Sequence, residues 1–134
     1  PDITDVGLTT EEEGVGLIVG AALGGQRAVL LMQSSGVGNC INMLGLIKTC
    51  QFPLLTLITM RGEWGEFNPW QIPMGQAVPK VLETMGVVVQ RVERAEEVRE
   101  SLEAALRLAY SAYQPVALLL SQRLLGSKKF GGKP

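Results

Sequence analysis

Ala28-Val-Leu-Leu-Met-Gln33 runs without interruption into Ser34-Ser-Gly-Val-Gly-Asn39, and then into Ile41, Leu44 and Ile47. An apolar run too short for a helix, two glycines and a helical spacing of apolar residues read as strand, tight turn and helix. The run is apolar at successive positions, as a strand covered on both faces of a parallel sheet must be. The same alternation extends in both directions. Residues 54–60 (LLTLITM), 87–92 (VVVQRV) and 116–121 (VALLLS) read as further strands, with 6–9 as a candidate first one. Helical patterns fill 11–23, 38–51, 78–85 and 95–113, with Thr10 and Glu13 spaced as a capping box, Pro53 stopping the second and Gly86 ending the third. The prediction is an α/β fold, a three-layer sandwich around a mostly parallel sheet.

Composition narrows the class. A chain of 134 residues, 46% hydrophobic, fills one core. Its positive mean hydropathy points to apolar surface buried against another chain. A net charge of −1 leaves no electrostatic footprint for nucleic acid, and Lys128, Lys129 and Lys133 belong to a glycine-rich end. The chain has no histidine, which removes the commonest general base and metal ligand and rules out a Ser-His-Asp or Cys-His centre built from these residues alone. No metal site is expected. Cys40 and Cys50 fall on one predicted helix about 15 Å apart, too far to bridge, and two free thiols fit a reducing cytoplasm. No apolar run approaches a membrane span and no signal peptide is evident.

In an open parallel sheet, ligands bind where strands end and helices begin. Three segments fall there. The first, 33–39, reads first as a tight strand–helix turn and second as an anion- or ligand-binding loop; it lacks both the third glycine of a dinucleotide fingerprint and the Gly-Lys-Ser/Thr of a phosphate loop. The second, Glu11-Glu12-Glu13, complements a helix dipole, and one of the three could turn inward for proton chemistry. The third, 61–75 (RGEWGEFNPWQIPMG), is a long loop with both tryptophans, and long structured loops are often functional. Cys40 beside a helix start reads as a packing residue rather than a nucleophile, there being no histidine to pair with it.

Taken together, Glu11-Glu-Glu-Gly-Val-Gly16, Leu31-Met-Gln-Ser-Ser-Gly-Val-Gly-Asn39, Met60-Arg-Gly-Glu-Trp-Gly65 and Ile72-Pro-Met-Gly75 resemble the pyrimidine-binding module of thiamine diphosphate-dependent decarboxylases. Within that group the likeness is greatest to sulfopyruvate decarboxylase alpha subunits, with phosphonopyruvate decarboxylase close by, and it runs from about Asp2 to Gln122. The resemblance implies a pyrimidine-binding domain over 1–125, and the glycine-rich end makes 126–134 an expected flexible tail. It places the family's activating glutamate on Glu12, where a carboxylic acid hydrogen-bonded to the aminopyrimidine promotes loss of the thiazolium proton, while Glu13 keeps the cap. Gln33, Ser34, Ser35, Gly36, Val37 and Gly38 would line the pyrimidine through backbone groups, and Asn39 and Arg61 would face substrate. A guanidinium fork suits a sulfonate or carboxylate.

Two departures from the family matter. The diphosphate- and magnesium-binding signature, Gly-Asp-Gly followed by Asn-Asn, is absent from these 134 residues. The resemblance therefore implies a separate beta subunit holding diphosphate and Mg2+, self-association, and little activity without the partner. The chain also starts near what should be the second strand, so the first strand–helix unit is expected to be lacking. The expected reaction is sulfopyruvate to sulfoacetaldehyde and carbon dioxide. The rivals are phosphonopyruvate decarboxylation, a non-catalytic assembly module of the same fold, and a nucleotide-binding domain, which the missing fingerprints disfavour.

Overall fold

A computed structural model of the chain describes residues 3–127. Helix α1 (Glu11–Leu23) leads into strand β1 (Leu30–Gln33), and a 3-10 turn at Ser34–Gly36 passes directly into α2 (Val37–Cys50). Then come β2 (Leu55–Thr59), a 3-10 turn at Pro69–Gln71, α3 (Ile72–Thr84) and β3 (Val88–Val92). A third 3-10 turn at Ala95–Glu97 opens α4 (Val98–Tyr110), followed by β4 (Val116–Leu120) and a short α5 (Gln122–Leu125). The four strands form one all-parallel sheet in the order β1-β2-β4-β3.

That order explains the strand compositions. The central strands β2 and β4 read LTLIT and VALLL, and both faces of each are covered. One face packs Ile58, Ala117 and Leu119 against Val15 and Ile18 of α1, Leu44 and Ile47 of α2, and Val78 and Leu82 of α3. The other packs Leu55 and Val116 against Ala105 and Ala109 of α4. Each buried aliphatic side chain contributes about 1.5–3 kcal/mol, so these two clusters hold the sandwich together. The edge strand β3 carries Gln90 and Arg91, which a central position would not tolerate. The other edge, β1, has bonds on one side only, leaves Leu31 69% exposed, and borders a groove of about 1070 Å3.

Three expectations need correction. Residues 6–9 are not a strand; the chain there has no ladder partner, and Gly7 with the turn at Thr9-Thr10 favours coil. Helix α3 starts six residues before the expected 78, because Pro73 sits in its first turn, where a missing N–H costs nothing, and Pro79 is accommodated inside it. The capping box does not close: Thr10 makes no side-chain bond, and Glu13 Oε2 instead accepts the Thr9 N–H at 2.8 Å. Of the expected tail, only Gly126 and Ser127 fall inside the described residues, and its lysines lie outside them. Among the described residues no helix is long and apolar enough to cross a membrane.

Candidate functional site

Helix α1 precedes β1 and runs back along it, so its N-terminus lies at the same end of the sheet as the C-termini of the parallel strands. The N-termini of α2 and α3 arrive there as well. Close packing fixes the corner. A Cβ on Gly36 would run into the Glu11 side chain, and one on Gly38 would lie 3.2 Å from Met74 Sδ. Gly14, buried in α1, meets the side chains of Leu8 and Leu30, whereas Gly16 faces open space, so of the two only Gly14 is sterically required.

Successive residues on a helix are turned by about 100°, so the three adjacent glutamates meet different surroundings. Glu13 is exposed and caps. Glu11 accepts a 2.7 Å hydrogen bond from Asn39 Nδ2, joining α1 to α2. Glu12 Oε2 is buried with no hydrogen-bond partner, one of two such side-chain atoms among the described residues; the other is Gln71 Oε1, at the start of α3. A buried acceptor without a donor costs about 1–3 kcal/mol, and such orphans call for a ligand or a water.

The segment 33–38 forms a tight turn rather than an open loop. Ser34 is fully buried, and its Oγ accepts the Arg61 N–H at 3.1 Å, tying the ends of β1 and β2 together. Ser35 Oγ donates to Gln33 Oε1 at 2.9 Å. Val37 is fully buried in the core. Cys40 is 1% exposed, and burial, followed by the charges of Glu11 and Glu12, pushes its thiol up to about 12. It is a buried packing residue, as its sequence context suggested. Cys50 is exposed and unbridged.

The loop after β2 is organised around Glu66, whose side chain is 3% exposed. Its carboxylate accepts from Arg61 Nε and Nη2, both at 2.5 Å, from the Gly62 and Asn68 N–H groups, and from Gln122 Nε2 at 2.9 Å. The Arg61 bond first, then the Asn68 N–H, the Gln122 amide and the Gly62 N–H, hold this carboxyl far below its ordinary 4.5 against the opposing effect of burial. Gln122 completes the lock: its Oε1 accepts the Glu63 and Trp64 N–H groups at 3.0 and 3.1 Å. Glu63 in turn pairs with Arg91 of β3 at 2.5 Å. Gly62 is required twice over, by φ +78° and because a Cβ would strike the Gln71 carbonyl; at Gly75 a Cβ would strike the Arg61 carbonyl.

The fold thus gathers Glu12, the 33–38 turn and Asn39 into one corner. It brings the Arg61 backbone there too, through Ser34, but turns the Arg61 side chain onto Glu66. Sequence reasoning missed Glu66 and Gln122. The first was visible only as part of an unusually long loop, and the second carried no local signal, since it acts on residues 56–59 positions away.

No family model matches the chain. The chain is 42% identical over 120 residues to sulfopyruvate decarboxylase subunit alpha of Methanococcus maripaludis, covering 89% of this chain and 72% of that one. It is 39% identical over 119 residues to the protein of the same name from Methanocaldococcus jannaschii, covering 88% and 70%. Its fold matches part of a 2-oxoglutarate:ferredoxin oxidoreductase from Magnetococcus marinus with TM-score 0.71 and 17% identity, over 96% of this chain and 26% of that one. At such identity the structural match speaks for the fold alone. The sequence matches, extending over more than two thirds of each relative, decide the family: this chain belongs to the sulfopyruvate decarboxylase alpha subunits.

Proposed function

We propose that this chain supplies the proton-handling half of a thiamine diphosphate-dependent decarboxylase site that converts sulfopyruvate to sulfoacetaldehyde and carbon dioxide. The observation that carries the reading is Glu12: a carboxyl oxygen, buried and without a donor, where three helix N-termini converge. That arrangement fits an aminopyrimidine, which would offer the missing hydrogen-bond partner. The bound cofactor supplies a carbon nucleophile and the electron sink for loss of carbon dioxide from a 2-oxo acid. Glu12 would be the hydrogen-bond partner of the pyrimidine N1′. Glu11 and Asn39, bonded to each other, fix the approach of α1 to α2 and so the position of Glu12. Gln33, Ser34, Ser35, Gly36, Val37 and Gly38 would line the pyrimidine through main-chain groups, in a turn whose Ser34 and Gly36 are buried.

Asn39 stands at the rim, where substrate would enter. Arg61 has Nε and Nη2 committed to Glu66, so any contact with a sulfonate falls to Nη1. Its main role in this reading is to hold the loop. Diphosphate and Mg2+ belong to the partner beta subunit, because these 134 residues contain no Gly-Asp-Gly and no Asn-Asn. Self-association across the apolar β1 edge is part of the same reading, and two unbridged cysteines support a reducing, cytoplasmic setting.

The test is carbon dioxide release from sulfopyruvate by the chain co-expressed with its beta subunit, with thiamine diphosphate and magnesium. Turnover should need both chains and collapse in Glu12→Gln. A complex that forms yet shows no Glu12-dependent turnover on sulfopyruvate or phosphonopyruvate would leave an assembly module instead.

A further inference from the structure

Gln71 carries the other buried side-chain oxygen that finds no donor among the described residues, and its Nε2 makes no hydrogen bond there either. Its main chain, by contrast, is held. The Gln71 N–H donates to the Asn68 carbonyl at 3.1 Å within the 3-10 turn Pro69–Gln71, and its own carbonyl would be struck by any Cβ on Gly62. The residue immediately precedes α3, yet its side chain does not cap that helix. Turn, cap and core therefore make no use of the amide. A buried amide oxygen without a donor costs about 1–3 kcal/mol, and such a group calls for a ligand or a water.

Position narrows the ligand. The turn Ser34–Gly36 packs on α3 as well as against Glu11 of α1, and Met74 in the first turn of α3 closes on Gly38 of α2. The head of α2 thus lies between Glu12 on one side and Gln71 on the other. The Gln71 side also holds Arg61, whose carbonyl leaves no room for a Cβ on Gly75. A sulfonated 2-oxo acid offers hydrogen-bond acceptors and no donors, and the Arg61 fork is spent on Glu66. The amide of Gln71 is an uncommitted donor beside that arginine. We propose that Gln71 is a substrate-binding residue whose Nε2 donates to an anionic oxygen of the 2-oxo acid, sulfonate or carboxylate; the inference rests on the function proposed above. With neither end bonded, the amide turns about its last side-chain torsion without breaking a hydrogen bond, so its nitrogen is free to meet the substrate.

The experiment compares alpha–beta complexes, loaded with thiamine diphosphate and magnesium, of wild type, Gln71→Met, Gln71→Glu and Glu12→Gln. Gln71→Met keeps the length of the side chain and removes its donors. It should raise the KM for sulfopyruvate about tenfold and leave kcat within about twofold, as expected when a hydrogen bond to a charged group is lost from substrate and transition state alike. A second readout needs no turnover. Sulfoacetate, which carries a sulfonate and a carboxylate but no reactive ketone, is titrated calorimetrically into each complex, and its Kd should rise about tenfold in Gln71→Met and further in Gln71→Glu. Ethanesulfonate separates the two anions: a loss shared with it assigns the amide to the sulfonate, and a loss confined to sulfoacetate assigns it to the carboxylate. Thermal unfolding of Gln71→Met should match or exceed wild type, because a buried oxygen without a donor is removed. Wild-type KM and sulfoacetate Kd in Gln71→Met overturn the proposal, and a loss of stability with both constants intact assigns Gln71 to the architecture instead. Glu12→Gln should bind sulfoacetate normally without turnover. If it turns over normally, the proposed function fails while the sulfoacetate titration still decides Gln71.

Discussion

Glu12 and Glu66 are two carboxylates at the same end of one sheet, each with buried oxygen, and the chain treats them oppositely. Glu66 accepts five hydrogen bonds, from a guanidinium, two main-chain N–H groups and a buried amide. Glu12 has a buried oxygen that accepts none. Burial of a charge is tolerable only when its lone pairs are met, so the satisfied carboxylate belongs to the architecture. The unsatisfied one is a cost carried by the fold, and such costs gather where a ligand is meant to bind. The loop built around Glu66 is a closed frame; on the function proposed above, the corner around Glu12 is the place left open for chemistry.

The contrast is tested most strongly at its two ends. Glu12→Gln should lower turnover of the assembled enzyme by about 10²–10⁴, the range ascribed to a positioned acid or base. Its unfolding free energy should hardly change, since no hydrogen bond to Oε2 is lost; an equal loss of stability would break the distinction. Glu66→Ala should do the reverse. Urea unfolding should show a loss of about 3–5 kcal/mol, as expected when one partner of a buried ion pair is removed and Arg61 is left without its counter-charge. A variant as stable as wild type but inactive would move Glu66 from frame to chemistry.

Acidification sharpens the comparison with a smaller effect. The folded-state value of Glu66 lies below its ordinary 4.5, so the native chain binds this proton less readily than the unfolded chain does. The stability it provides is complete above that ordinary value and drains away as pH falls toward the lower folded value. Unfolding midpoints measured downward from pH 6 should fall in wild type, and Glu66→Gln should remove part of that slope. The smallest effect is expected at Cys40, which feels the charges of Glu11 and Glu12 but is buried with its thiol raised to about 12. Cys40→Ala should cost about 1 kcal/mol of stability and leave turnover unchanged; a loss of turnover would show that the open corner extends further than Glu12.

Much of the frame was legible because it depends on short-range patterns. Short apolar runs marked all four strands, but not their places: the run 28–33, read as covered on both faces, became the edge strand β1. The α1 bounds at Glu11 and Leu23 stand although the capping box that suggested them does not close. The candidate strand at 6–9 failed because a strand is defined by its neighbour, and nothing local reveals whether one is there. The α3 start was hidden by prolines whose cost depends on their place in the turn. At the site, Glu12, the 33–38 turn and Asn39 were named from motif resemblance, and the fold places them in one corner. Arg61 was named from the same resemblance, supported by its charge, and the fold turns its side chain onto Glu66, because charge alone does not say where a long side chain points.

The sequence by itself determined the α/β alternation, the parallel sheet and the kinship to sulfopyruvate decarboxylase alpha subunits, because apolar period and residue order are written along the chain. Only the tertiary structure decided which of three adjacent glutamates caps, which bridges and which is left with an orphan oxygen. It alone spent the Arg61 fork on Glu66 and called in Gln122 from 56 positions away. Hydrogen-bond satisfaction depends on what lies within about 3 Å in space, and separation along the chain carries no record of that.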